Sequence, residues 1–354
     1  MSVDGGRAGD ETPGVSLVVP NYNGRDLLRA NVPTLLAAAR AYEAAGGGPV
    51  EVIVVDDGSS DGSLLLLETE LPRVRRVVHP ANRGFGAACL SGVEAARAPL
   101  VVLLNSDVAV REGFLAPLLT PFAHDPQVFS VSPLILDREG RPSKISVNHP
   151  QVRRGELKWR GVPPEALLSL SRLPADAPLE LYSLFGLGGA IAVRRDRFLA
   201  LGGFDPLYRP FYHEDVDLGL CAWRRGWTVR VEPRSLVTHA DGGTINRHFA
   251  PLRVKIARRR HRLLCGWKHA EGSWRGEQRR GLWRRALTRW LSLDLRFYAA
   301  LWGAWRRRAQ ARAARAREER EGVVSLLDEA FPRIAASWPP PASIGSGPAP
   351  SPPD

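Results

Sequence analysis

Five short polar clusters hold the residues able to do chemistry. The first is Asp56-Asp57-Gly58-Ser59-Ser60-Asp61-Gly62-Ser63, which closes an apolar run. A carboxylate there can accept hydrogen bonds from a nucleobase N–H or ribose hydroxyls; the same residues also make an Asx turn with a helix N-cap. The second is Asn82-Arg83-Gly84-Phe85-Gly86. Its glycines let backbone N–H groups approach a phosphate or ribose, although the pattern is neither GxGxxG nor a P-loop and also serves as a plain helix start. The third, Asn105-Ser106-Asp107, offers one carboxylate and an amide carbonyl, hard oxygen donors suited to Mg²⁺ or Mn²⁺. The alternative is a turn whose Asp favours a helix N-terminus. The fourth is His213-Glu214-Asp215-Val216-Asp217. Three carboxylates in four residues repel, so the fold must neutralise them or exploit one; nearby Phe211, Tyr212 and Trp223 suggest partial burial, which moves a carboxylate toward base duty. The fifth is His239, an acceptable Mn²⁺ ligand or an ordinary surface or core histidine.

These clusters need elements to position them. Val15–Pro20, Val50–Val55, Val74–His79 and Leu100–Leu104 read as strands, separated by helical stretches from about Arg25 to Ala45 and from Phe85 to Arg97. Their Val/Ile/Leu runs lack alternation, which predicts strands buried on both faces of a parallel, Rossmann-like α/β sheet. Ligands then bind outside the carboxyl ends of the strands, where the first and third clusters fall. Further along, Val128–Leu136 and Gly188–Val193 read as strands, and Arg195–Leu201 as a short helix. Asp215–Arg225 reads as a helix stopped by Gly226, and Thr228–Val231 and Ser235–Thr238 as two short strands. The polar stretch Asp137–Pro178 yields no assignment.

The chain has 354 residues, with 44% hydrophobic and 24% charged, an ordinary globular composition that excludes wholesale disorder, collagen and coiled coil. Its three cysteines show no CxxC pairing, which argues against a disulfide scaffold or a structural zinc site. Residues 1–13 read as a flexible leader without a signal peptide, and 338–354 as a Pro-rich disordered tail. The longest near-apolar stretch, Leu181–Val193, has 13 residues and is too short to span a bilayer. A reducing, cytoplasmic compartment follows. The net charge of +12 is concentrated: residues 251–321 carry 21 Lys and Arg against 6 Asp and Glu. No zinc-finger, RRM or homeodomain pattern accompanies that charge, so no nucleic-acid partner is expected.

The order of the clusters resembles the inverting glycosyltransferases of family 2, most closely their rhamnosyltransferase-like branch. The resemblance rests on Val15–Gly24, Glu51–Ser63, Asn82–Gly86, Leu103–Val108, Gly188–Asp196, Gly202–Asp205 and His213–Leu218. It implies a GT-A fold, a mixed, mainly parallel sheet flanked by helices, that binds a nucleoside-diphosphate sugar. By similarity, Pro20, Asn21, Tyr22, Asp56, Asp57, Asn82, Gly84, Asn105 and Ser106 contact the donor. Asp107 holds a divalent cation (Mg²⁺ or Mn²⁺) with His239 assisting, and Gly188, Gly189, Ala190 and His213 floor the acceptor side. Asp215 is the general base with Glu214 beside it. The family's DxD motif is reduced here to Asn105-Ser106-Asp107. A nucleotide-sugar half at 14–136 and an acceptor half at 137–250 are implied, together with a cell-surface glycan or polyprenyl-linked acceptor. The runners-up are a sugar nucleotidyltransferase, whose Gly-rich basic loop is missing from Pro20–Arg25, and a non-catalytic GT-A relative, which Asp107, Glu214 and Asp215 argue against.

Residues 251–337 read as a basic, amphipathic helical extension. Trp283, Ala286, Leu287, Trp290, Leu291, Phe297, Tyr298, Leu301, Trp302 and Trp305 recur at three- and four-residue steps in one helix interrupted by Asp294, with Arg285, Arg289, Ser292 and Arg296 on another face. That pattern predicts peripheral contact with an anionic membrane at its inner face, the alternative being packing on the catalytic domain. Arg306–Arg320 reads as a solvated helical extension.

Overall fold

The computed structural model describes residues 13–143, 146–239, 250–321, 323 and 327–338. The leader and most of the Pro-rich tail lie outside the described residues. An eight-stranded mixed sheet forms the centre, built from β1 (Val15–Asn21), β2 (Val50–Asp56), β3 (Arg75–Val78), β4 (Leu100–Leu104), β5 (Val108–Val110), β6 (Val128–Leu136), β9 (Ala190–Arg194) and β10 (Thr228–His239). A separate hairpin pairs β7 (Asn148–Arg153) with β8 (Glu156–Gly161). The sheet order is β3-β2-β1-β4-β9-β6-β10-β5; the first four strands are parallel, and β9 and β5 run against their neighbours.

The absence of alternation in β1 has a direct cause. Val15, Leu17 and Val19 face α1 (Arg25–Ala44), where Leu28, Val32 and Leu35 recur at helical steps, while Val18 faces Cys89 and Val93 of α3 (Phe85–Ala95). Each such fully buried aliphatic side chain contributes roughly 1.5–3 kcal/mol. β1 pairs with β4 only as far as Val18–Leu103, but with β2 as far as Asn21–Asp56. A crevice therefore opens at the strand ends between Pro20-Asn21 and Asn105, where open α/β sheets bind ligands.

Several expectations need correction. The two short strands near the end of the domain are one, β10, whose register shifts between Glu232 and Leu236. The unassigned stretch 137–178 holds the β7–β8 hairpin and α5 (Pro164–Leu170). The hairpin turn is Arg154-Gly155, both at positive φ, the two-residue turn whose twist matches paired strands. Also unforeseen were α2 (Ser63–Thr69) and α4 (Leu115–His124). The single amphipathic helix is two, α9 (Gly272–Leu291) and α10 (Leu295–Arg306), because Asp294 accepts from Phe297 N and caps the second. Nor is 306–320 merely solvated. α11 (Arg308–Arg320) buries Ala311 and Glu318, and Arg315 donates to the Ala270 carbonyl at 2.8 Å. With α8 (Pro251–His269) and α12 (Leu327–Ala336), it shares one apolar cluster with α3, α6 (Arg195–Ala200) and α7 (Glu214–Arg224).

Candidate active site

The loops after β1 and β2 are laced together. Asn21 Nδ2 donates to Asp56 Oδ1 at 3.1 Å, and Asp56 Oδ2 accepts from Ser59 N at 3.0 Å. Asn23 Oδ1 accepts from Ser60 N, and Asp61 from Arg25 N, both at 2.8 Å. Gly24 is required here, since a Cβ would sit 2.4 Å from Asn21 Oδ1. Asp57 is buried and accepts from Arg83 N (2.9 Å), Gly84 N (2.8 Å) and, at 2.6 Å, the His79 ring. Asp57 thus fastens the loop before α3 rather than presenting a bare carboxylate. His79, at the end of β3, went unnoticed in the sequence, where it sits in a Val-Val-His-Pro run with no second polar group. Tyr22 and Asn82 are exposed at the mouth.

Asn105, Ser106 and Asp107 follow β4. Asn105 N donates to the Gly189 carbonyl at 2.8 Å, and Asn31 Nδ2 donates to the Ser106 carbonyl at 2.8 Å. Asp107 precedes β5, whose Val108 pairs with His239 of β10 in antiparallel register. That single pairing brings residues 132 positions apart together: His239 Nε2 lies 3.2 Å from Asp107 Oδ1. Among the described residues Asp107 Oδ1 accepts no aligned hydrogen bond although it is buried. A carboxylate oxygen left without an aligned hydrogen bond beside an imidazole fits a divalent cation, which Asp107 and His239 would hold. The other acidic cluster, Asp217, Cys221 and His269, does not fit one, because the Lys268 ammonium already lies 2.7 Å from Asp217.

Helix α7 opens on the fourth cluster. Tyr212 and His213 both take positive φ, at 70° and 77°, a costly backbone for non-glycine residues and one found at functional turns. His213 is buried between Trp159 of β8 (5.8 Å) and His261 of α8 (6.4 Å), and its Nε2 has no hydrogen bond among the described residues. Burial lowers its pKa to about 3, so the ring is neutral. Glu214 and Asp215 keep an edge open to solvent. Enclosure raises Glu214 to about 8, helped by the Asp215 charge, and Glu214 Oε2 has no partner among the described residues. Enclosure also raises Asp215, to about 6, against the N–H groups of Val216 (2.8 Å) and Gly188. Gly188 and Gly189 therefore join the two sides: one peptide N–H reaches Asp215, and the next residue's carbonyl holds Asn105. A Cβ on Gly189 would meet Asn105 Nδ2 at 2.8 Å. Ala190 pairs with Leu104 and fixes this junction to the sheet.

One turn further, Asp217 is buried and bonded by Tyr208 Oη (2.8 Å), Lys268 Nζ (2.7 Å) and His269 Nε2 (2.7 Å). Burial opposes its ionisation, but Lys268 and His269 override this and hold it far below the usual carboxylate range. Lys268 also reaches Asp205 at 2.8 Å. None of this is visible in the Arg- and Lys-rich text of α8.

Strand order, crevice and site together define a GT-A glycosyltransferase, and similarity agrees. Residues 16–165 match Glycosyl transferase family 2, so the chain carries a domain of this family. It is 30% identical over 209 residues to the N-acetylglucosaminyl-diphospho-decaprenol L-rhamnosyltransferase of Mycobacterium tuberculosis, covering 54% of this chain and 66% of the relative. In fold it is similar to GalNAc-T7, solved with UDP, GalNAc and Mn²⁺, with a TM-score of 0.54, 18% identity and coverage of 73% of this chain and 48% of the other. It is also similar to a mannosyltransferase from Pyrobaculum calidifontis in complex with GDP-Man and Mn²⁺, with a TM-score of 0.50, 17% identity and coverage of 93% and 85%.

Proposed function

We propose that this chain moves a sugar, rhamnose or another hexose, from a nucleoside-diphosphate sugar to a hydroxyl of a cell-surface glycan or polyprenyl-linked acceptor, with inversion. The observation that carries the reading is the Gly188-Gly189 junction, which sets a carboxylate with a raised pKa against the crevice beside Asn105 and Asp107. The donor occupies the half 14–136, between the laced β1 and β2 loops and the Asn105–Asp107 turn. The acceptor enters over 137–250 between Gly188, Ala190 and His213. Asp215, ionised near neutral pH, takes the proton from the attacking hydroxyl. Burial raises both carboxyls and the Asp215 charge raises Glu214 further, so the Glu214–Asp215 pair keeps a shared proton that leaves one charge to act as base and an O–H to hold the acceptor. One base and one displacement suffice for inversion. Asp107 and His239 would hold Mg²⁺ or Mn²⁺, which stabilises charge on the departing diphosphate. The relative's decaprenol-linked substrate and the two Mn²⁺-bearing neighbours support this reading, under which the chain works peripherally at the inner face of a cell membrane.

The test is a thermal-shift panel of UDP, GDP and dTDP with and without Mn²⁺, because a ligand that binds only the folded state raises the midpoint. A shift with one series that needs Mn²⁺ and disappears in Asp107→Asn is expected. A folded sample that answers none of the three would overturn the donor reading.

A further inference from the structure

The hairpin of α9 and α10 keeps its large apolar side chains on the water side. On α9 the face toward the body carries Trp274, Gln278 and Gly281, while the opposite face carries Trp283, Leu287, Trp290 and Leu291. On α10, Phe297, Ala300 and Ala304 turn inward and Leu295, Trp302 and Trp305 outward. The turn is as exposed as the helix face: Leu291, Leu293 and Leu295 stand at 77%, 75% and 76%, beside 78% for Trp283 of α9. A continuous apolar surface of this kind marks a contact site on a water-soluble body.

We propose that this hairpin is a wedge that seats in the interface of an anionic lipid bilayer. Three observations choose that occupant. First, at 100° per residue Arg279 and Arg284 flank the α9 stripe on either side, both exposed, placed to reach lipid phosphates while the Trp and Leu side chains enter the acyl boundary. A second copy of the chain would bring these arginine rows against each other. Second, the one acidic residue at the tip is put away. Asp294 is bonded by Arg259 at 2.8 and 3.0 Å, lies 3.3 Å from Arg289 and caps α10, so the tip offers leucines and no bare carboxylate. Third, no helix of the described residues is long and apolar enough to cross a membrane, so the hairpin lies in the interface.

The wedge is also tied to the acceptor side. Trp274 Nε1 donates to the Gly155 carbonyl at 3.3 Å in the β7–β8 turn, and β8 carries Trp159 to the His213 ring. Docking would set the acceptor wall at the lipid surface, which suits a polyprenyl-linked acceptor; this orientation rests on the transferase reading, whereas the docking itself does not.

The experiment is co-sedimentation of the full chain with phosphatidylcholine vesicles with and without phosphatidylglycerol, beside a triple variant Leu291→Ser, Leu293→Ser, Leu295→Ser and a double variant Arg279→Gln, Arg284→Gln. Binding is expected only with the anionic lipid, weakened about tenfold or more by the serine variant and several-fold by the glutamine variant. All substituted residues are exposed, so melting midpoints should match the parent. Failure of the folded parent to bind, or a serine variant that binds as the parent does, would overturn the proposal. So would a dimer in light scattering that the serine variant dissociates. Mn²⁺-dependent nucleotide binding is measured on the same samples, so loss of the donor reading and loss of the wedge are told apart.

Discussion

Asp57, at the end of β2, and Asp215, in the first turn of α7, are both enclosed carboxylates beside the same crevice. Asp57 is the more deeply buried, yet two backbone N–H groups and His79 saturate it. Asp215 keeps a solvent-facing edge and meets only backbone N–H groups, of Val216, Gly188 and its own residue, with no side-chain donor among the described residues, and its neighbour Glu214 has an oxygen with none. Depth alone therefore does not single out a base. What sets Asp215 apart is enclosure with no side-chain partner and with Glu214 beside it, which leaves its pKa raised. Asp217 sharpens the contrast on the same helix, since Lys268 and His269 hold it firmly ionised.

Breaking the comparison at its centre should have the largest effect. Asp215→Asn should lower transfer by about 10²–10⁴-fold, as loss of a general base does, while nucleotide affinity measured by calorimetry stays within about twofold. Equal loss of both would reassign Asp215 to the donor. Next is Lys268→Met, which strands the Asp217 charge and should cost about 3–5 kcal/mol in chemical denaturation; adding Asp217→Asn should recover part of it. Failure of the second change to help would mean that the network matters by packing, not charge. The pH profile comes third. Transfer needs ionised Asp215, so the rate should fall about tenfold per unit below a midpoint near pH 6.

Stability should run the other way for this pair. Raised pKa values mean that Glu214 and Asp215 favour the folded state fully below their unfolded values near 4, and that this support fades as pH rises through about 6 to 8. Glu214→Gln should accordingly gain about 1 kcal/mol over the parent at pH 8 and little at pH 4. Asp217, depressed, has the opposite sign: its support is present above about pH 4 and lost on further acidification. The smallest effect belongs to Gly189→Ala, whose new Cβ displaces the Asn105 amide and should raise the donor KM a few-fold. An unchanged KM would remove Asn105 from the donor site.

The parallel half of the fold is legible because its strands are uninterrupted aliphatic runs ended by polar turns, from Val15–Pro20 to Leu100–Leu104. Glu214 and Asp215 were also legible as a crowded acidic turn, though nothing in their text separates them from Asp217. That distinction comes from Lys268, which lies 51 residues further on, in the basic segment that begins at Pro251. The closeness of Asp107 and His239 depends on β5, a three-residue strand too short for any periodicity to register. The β7–β8 hairpin did carry a signal, alternation on both sides of Arg154-Gly155, masked by the prolines and charges around it.

The Lys268–Asp217 pair also sets an order of events during synthesis. Helix α7 ends at Arg224, but the charge that stabilises Asp217 emerges 44 residues later. At translation rates of about 5–20 residues per second, α7 waits roughly 2–9 seconds for its cation. Until then its first turn holds an uncompensated acidic cluster, which resists docking against the sheet. The C-terminal helices are thus part of what completes the α7 side of the molecule, since Lys268 supplies the charge that the buried Asp217 needs.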